Sequence, residues 1–449
     1  MKFKALARSE KKCTRELSSD VRIRLRNTAP ELHPFAKARE YRRALNATKL
    51  EKVFAKPFVA ALDGHTDGVW CSSAPHSSLV QFVSGACDGE VRVWDLPSQK
   101  CVWSVNAHRG IVKGVSVAPH GANFFVSAGD DSLAKLWGLH RSGSGGGRES
   151  EALATYRGKN AFTGVDHHWT RSHFATSSEV VEVWDHNRSE PIHSFKWGHD
   201  MTMSVRFNPA EPDLLASTGR DRSIGLYDVR KGSALKKVVL EAYCSALAWN
   251  PREPIYFVGA NEDGNLYSFD MRKLDRPCMI HKDHVGAVLS VGYSPTGKEF
   301  VSGSYDRTVR IFKSNEGRSR EVYHTKRMGR VFCTNFSMDS KFVLSGSDDA
   351  NVRVWKAQAS ATLGKMTARE ERHAEYVGAL KQRHEHMPEV RRIAKYRQVP
   401  RVIKKMAERA RETKDSARRK ETNRRAHSKP GFEGQVKPER DSAVVATLE

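Results

Sequence analysis

A chain of 449 residues with 39% hydrophobic side chains, nineteen Phe and nine Trp is long and apolar enough for a real core, but its net charge of +23 excludes a charge-balanced surface along its whole length. No stretch approaches the ~18 apolar residues of a membrane span, and the opening MKFKALARSEKK has no apolar run of signal-peptide type, so no membrane partner is expected. The seven cysteines are scattered, odd in number and never spaced CxxC, which argues against a disulfide framework or a thiolate zinc site and for a reducing compartment.

In chain order, residues 1–56 read as a basic N-terminal arm, with sixteen Lys/Arg against six Asp/Glu. From 57 to 355 the balance falls to thirty-five against thirty-three, and a repeat sets in. Strand-like segments end in Trp94, Trp137, Trp184, Tyr227, Phe269, Phe312 and Trp355, at spacings of 43, 47, 43, 42, 43 and 43. The one longer interval contains a Gly/Ser-rich insertion at 141–150. Six residues before each aromatic stands Asp88, Asp131, Asp221, Asp263, Asp306 or Asp349; the third repeat has Ser178 instead.

Alternating stretches such as VRVWDL (91–96), separated by Asp-Gly turns, read as β-strands. A period of ~40 to 45 residues with GH early and WD late is the WD-repeat pattern, four strands to a blade. The predicted fold class is all-β, a seven-bladed WD-repeat β-propeller at 57–355 with a basic N-terminal arm and a basic α-helical C-terminal extension. KPFVAAL (56–62) precedes the first GH and is expected to supply the outer strand of the last blade, closing the ring and removing open edges.

The same repeat disposes of an apparent hydrolase triad. His65, Ser84 and Asp88 recur as His108, Ser127 and Asp131, as His199, Ser217 and Asp221, and as His284, Ser302 and Asp306. A catalytic triad occurs once per active site. A set that recurs every 43 residues reads as a hydrogen-bond network inside each blade, ending on Trp94 or Trp137. No GxSxG, Walker loop or HExxH is present, so no catalytic residue, cofactor or small-molecule substrate is expected. No metal site is expected either, because adjacent His167 and His168 point to opposite faces of a strand, and His384 and His386 do not share a helical face.

After Trp355 the period changes to that of helices, over 356–431. Thr367 and Glu370 form a capping box, followed by Ala374, Val377 and Leu380 on one face; Pro388 starts a second helix with Val390, Ile393 and Ala394 inward. Pro400 starts a third with Val402, Ile403, Met406, Ala407 and Ala410 at helical spacing. Between 401 and 429 stand twelve basic and four acidic residues, with no large apolar side chain after Met406. Arg401, Lys404, Lys405, Arg418, Arg419, Lys420, Arg424, Arg425 and Lys429 therefore fit either a nuclear import signal or a helix laid along RNA phosphates. About five phosphate contacts on single-stranded RNA would give a log-log salt slope near −3.5. Residues 432–449 read as a disordered tail.

The stretches RALNATKLEKVFAKPF (43–58), SGACDGEVRVW (84–94), TGVDHHW (163–169), NEDGNLYSFDMR (261–272), SPTGKEFVS (294–302), RSREVYHTKRM (318–328) and RRKETNRRAHSKPG (418–431) together resemble the WD-repeat-and-SOF-domain family, called in animals DDB-and-CUL-associated factor thirteen. The resemblance covers nearly the whole chain apart from the loop at 141–150 and the last eighteen residues. It implies a non-enzymatic nucleolar scaffold of the small-subunit processome, associated with the box C/D small nucleolar RNP and pre-rRNA and needed for early cleavages. The basic C-terminal residues would then make their contacts within that pre-ribosomal particle. For animal members it also implies substrate receptors of a cullin-four RING ubiquitin ligase, in which a W-D-x-R box meets the DNA-damage-binding adaptor. YDVR (227–230) and FDMR (269–272) occupy the box positions, making Arg230 and Arg272 candidate adaptor contacts, with Tyr227 and Phe269 in place of Trp. The plainer reading is that Asp228 and Asp270 close the turn and the arginines are solvated.

Overall fold

The computed structural model describes residues 29–119, 123–139, 151–197, 200–428 and 438–448. The insertion at 141–150, His199 and Lys429 lie outside the described residues. From Phe58 to Lys356 the chain forms seven antiparallel sheets of four strands each, one of which gains a fifth. In blade one, for example, the strands run in order through Val69–Ser73, Gln81–Ala86, Glu90–Asp95 and Lys100–Asn106. The last blade takes Val331–Phe336, Phe342–Ser347 and Val352–Lys356 and borrows Phe58–Leu62 as its outermost strand. Phe58 faces Trp355 and Leu62 faces Val352, so the ring closes as the KPFVAAL segment predicts.

Alternation along each strand sends its apolar side chains into the space between neighbouring blades. Val83, Val91 and Val93 of blade one meet Val112, Val115 and Phe125 of blade two. Trp94, Trp184, Trp355, Phe269 and Phe312 are fully buried. The Asp-Gly turns are obligatory in places: Gly89 sits at φ 88°, and a Cβ there would come within 2.1 Å of the His108 carbonyl oxygen.

By internal packing the described chain forms two units, 58–357 with 398–448 and 29–57 with 358–397. The helix of the expected N-terminal arm (1–56) and the first two helices of the expected extension (356–431) belong to one body. Helix α1 (Ala36–Val53) packs on α2 (Ala368–Arg383) and α3 (Pro388–Ala394). Ala44, Leu380 and Val390 are buried, Lys381 Nζ lies 2.7 Å from Glu51, and Tyr41 OH donates to Glu389 at 3.2 Å. The Thr367–Glu370 capping box forms, and Pro388 takes the first helical turn. Ala374 and Ala394 are exposed, however, and His384 is buried beside Tyr41 instead of lying on the surface. His384 turns toward Tyr41 of α1, which a local pattern cannot reveal.

In the other unit, α4 (Arg401–Ala426) follows residue 398. Only Ile403 of its expected apolar face is buried; Val402 is 69% and Met406 44% exposed. The tail read as disordered is corrected at its end: after a single helical turn α5 (Glu439–Ser442), Val444–Leu448 pairs antiparallel with Ser233–Leu240 as the fifth strand of blade four. Ala443 is buried among Leu226, Val238 and Leu240, and Arg440 Nε donates to the Pro277 carbonyl oxygen at 2.6 Å. The uncharged run AVVATL (443–448) was the available signal for this strand.

Candidate partner-binding surfaces

The blade networks are interior, and those of blades two and six join His, Asp and Ser as expected. In blade two, neutral His108 donates from Nδ1 to Asp131 at 2.9 Å and accepts at Nε2 from Ser127 at 2.8 Å, while Ser127 accepts from Trp137 Nε1 at 2.9 Å. Blade six repeats this with His284, Asp306 at 3.0 Å and Ser302 at 2.7 Å. Burial lowers the pKa of both histidines. Burial pushes Asp306 up, but His284, Arg310 and Thr308 together outweigh it and hold the carboxyl below the usual range. Ser84, Ser127 and Ser302 are fully buried, so no substrate carbonyl can reach these hydroxyls.

Blade one departs from the predicted set. Ser84 joins His65 at 2.7 Å and Trp94 at 2.7 Å, but Asp88 accepts from Thr66 at 2.5 Å and from the Glu90 amide at 2.9 Å instead of meeting His65. His65 Nδ1 lies 3.7 Å from Glu90 without a hydrogen bond, and burial brings its pKa down to about 4. His65, Asp88 and Glu90 offer ligand atoms within 4.8 Å of one another, but Arg92 already holds Glu90 at 2.9 Å and Thr66 holds Asp88. In blade four Tyr227 OH replaces the indole at 3.0 Å from Ser217, and Asp221 pairs with Lys237 at 2.6 Å.

The two box arginines lie on the loops after the third strands of adjacent blades. Asp228 accepts from the Arg230 amide at 2.9 Å, which closes the turn, while the Arg230 side chain is 64% exposed. Asp270 accepts from the Arg272 amide at 2.9 Å and is gripped by its guanidinium at 3.1 and 3.0 Å; these hydrogen bonds keep the Asp270 carboxyl below its usual pKa. Arg272 nonetheless keeps 61% of its side chain exposed. Turn closure and presentation of a cation coexist at both positions.

Helix α4 extends for 26 residues, about 39 Å at ~1.5 Å per residue. Glu421 engages Arg424 and Arg425, both at 2.8 Å, and Arg419 Nε donates to the Asp415 carbonyl oxygen. Arg401, Lys404, Lys405, Arg418 and Lys420 are exposed and form no ion pair among the described residues. Sequence reasoning missed a cavity of about 430 Å³ where the inner strands of all seven blades end, lined by Trp169, Trp249, Tyr293 and Phe336 among others. These residues come from separate repeats, and no local motif marks them.

Residues 357–444 match the Sof1-like domain, and residues 56–95, 99–138, 276–313 and 320–356 match the WD domain, G-beta repeat. Blades three to five lie between the matched WD segments, where Ser178, Tyr227 and Phe269 depart from the repeat, yet they fold from the same four strands. The chain is 50% identical over 431 residues to DDB1- and CUL4-associated factor 13 of Danio rerio, covering 96% of each chain. It is 49% identical to the Homo sapiens protein of that name, again over 431 residues and 96% of each. With Protein SOF1 of Saccharomyces cerevisiae it shares 43% identity over 445 residues, 95% of this chain and 91% of that one.

Proposed function

This chain belongs to the Sof1-like WD-repeat family, and from that premise we propose that it is a non-enzymatic scaffold of the small-subunit processome, required for pre-rRNA processing in the nucleolus. The observation that carries the reading is α4, a long exposed helix most of whose cations form no ion pair among the described residues. Such a helix neutralises a polyanion by releasing its counterions, and Arg418, Arg419, Arg424 and Arg425 can each grip a phosphate through two parallel hydrogen bonds. The near-neutral propeller supplies rim and channel surfaces for processome proteins, and α4 with Arg401, Lys404, Lys405 and Lys420 lies against pre-rRNA or the small nucleolar RNP. The protein holds RNA and partners in place; cleavage belongs to other components.

Purification of the tagged full chain, with identification of bound RNA and protein, tests this reading. Recovery of pre-rRNA and the small nucleolar RNP is expected; their absence would overturn it. A second reading, as a substrate receptor of a cullin-four ligase, is favoured by the exposed guanidiniums of Arg230 and Arg272 and by the name of the vertebrate relatives. Arg230→Ala with Arg272→Ala is then expected to abolish co-purification of the adaptor, and undiminished recovery would remove those residues from the contact.

A further inference from the structure

A second cationic surface lies on the propeller itself, where blade six gives way to blade seven. The loop at 324–330 presents Lys326, Arg327 and Arg330 to solvent, while Met328, 1% exposed, pins it inward. Beside it the 305–308 turn of blade six carries exposed Arg307 and Tyr305, the latter 48% exposed, and the Arg330 guanidinium lies 4.3 Å over the Tyr305 ring. The carboxylates around this rim are already engaged: Asp306 by His284 and Thr308, Asp349 by Arg353, and Asp283 by Arg318 and Ser319. Asp348, packed against Gly329, leaves the patch net positive. Arg307, Lys326 and Arg327 form no ion pair among the described residues.

The rim is also continuous with α4. His324, the first residue of the loop, is hydrogen-bonded to the backbone of Gln398, three residues before the helix begins. We propose that this rim is a binding site for single-stranded RNA, with Tyr305 as a stacking platform and Lys326, Arg327 and Arg330 on phosphates. It deepens the processome reading by placing RNA on the propeller as well as on the helix. An exposed ring among cations that form no ion pair among the described residues suits RNA, because every base has a face to stack while the phosphates answer the charge. An acidic protein partner would use the cations and leave the ring idle. The buried Met328 fixes the loop beforehand, so little ordering entropy is lost on binding.

The test is fluorescence anisotropy of the full chain with an unstructured labelled 20-nucleotide RNA across a salt series. Lys326→Ala, Arg327→Ala and Arg330→Ala together are expected to make the log-log slope shallower by about 2, at ~0.7 per lost contact. Tyr305→Ala is expected to weaken binding roughly 5- to 150-fold, and Tyr305→Phe to leave it nearly unchanged, with melting curves confirming that each variant folds. If the rim variants bind like the parent while an α4 charge variant weakens, the rim proposal fails and the helix reading stands. If polyglutamate competes as well as RNA and Tyr305→Ala has no effect, the rim is an acidic-protein surface and the proposal is overturned. An intact chain that does not bind RNA overturns both.

Discussion

The propeller and helix α4 treat charge in opposite ways. In the blades, Asp131 is met by His108, Asp306 by His284 and Asp349 by Arg353, so these carboxylates are answered inside the fold and the body stays near neutral. On α4, Arg401, Lys404, Lys405, Arg418 and Lys420 are exposed and meet no acid among the described residues. The first arrangement stabilises a fold; the second adds little to the fold and leaves its free energy for a partner.

The largest expected effect falls on the propeller. Trp355 is buried, stacks on Tyr323 at 5.5 Å, meets Phe58 across the ring closure and donates from Nε1 to Ser345 at 2.8 Å. Trp355→Ala should cost about 3–5 kcal/mol in urea unfolding, through the cavity it leaves. A loss under ~1 kcal/mol would mean that the closure is not cooperative with the ring.

Acid should separate the regions more gently. Burial brings His65 and His281 down to about 4, below the ordinary histidine value of 6.5. Between these values the folded chain binds fewer protons than the unfolded one, so stability is full above about pH 6.5 and falls as pH drops toward 4. Melting temperatures measured from pH 7 to 4.5 should decline steadily. A flat profile would show that these imidazoles are not held neutral by burial.

The smallest effect on stability belongs to the helix. Replacing Arg418, Arg419, Arg424 and Arg425 by Ala should change urea unfolding by no more than about 0.5 kcal/mol, because exposed ion pairs such as those of Glu421 contribute little. A loss of several kcal/mol would make α4 a structural element and remove the contrast.

How much of this was legible depends on how local the signal is. A blade is spelled out within one period by its buried aromatic, its Asp-Gly turn and its alternating strand, and the closing strand could be placed because the first GH comes too late for it. The helical unit could not be read, because its contacts join residues 348 positions apart, as between Tyr41 and Glu389, or 333 apart, as between Arg43 and Tyr376. Periodicity placed Val402 and Met406 on one face of α4 but could not say that this face looks into solvent. The cations of α4 lie along one continuous stretch of sequence and were visible as charge. Those of the blade six to seven rim come from two separate loops, and only the fold gathers Arg307 with Lys326 and Arg330.

The most direct test of the central claim is the salt dependence of RNA binding by the full chain, compared with the four-arginine variant of α4 at equal stability. A log-log slope of about −3.5 or steeper is expected for the intact chain, and a slope shallower by about 2 to 3 for the variant, as phosphate contacts are lost. Equal slopes for the two chains would contradict it.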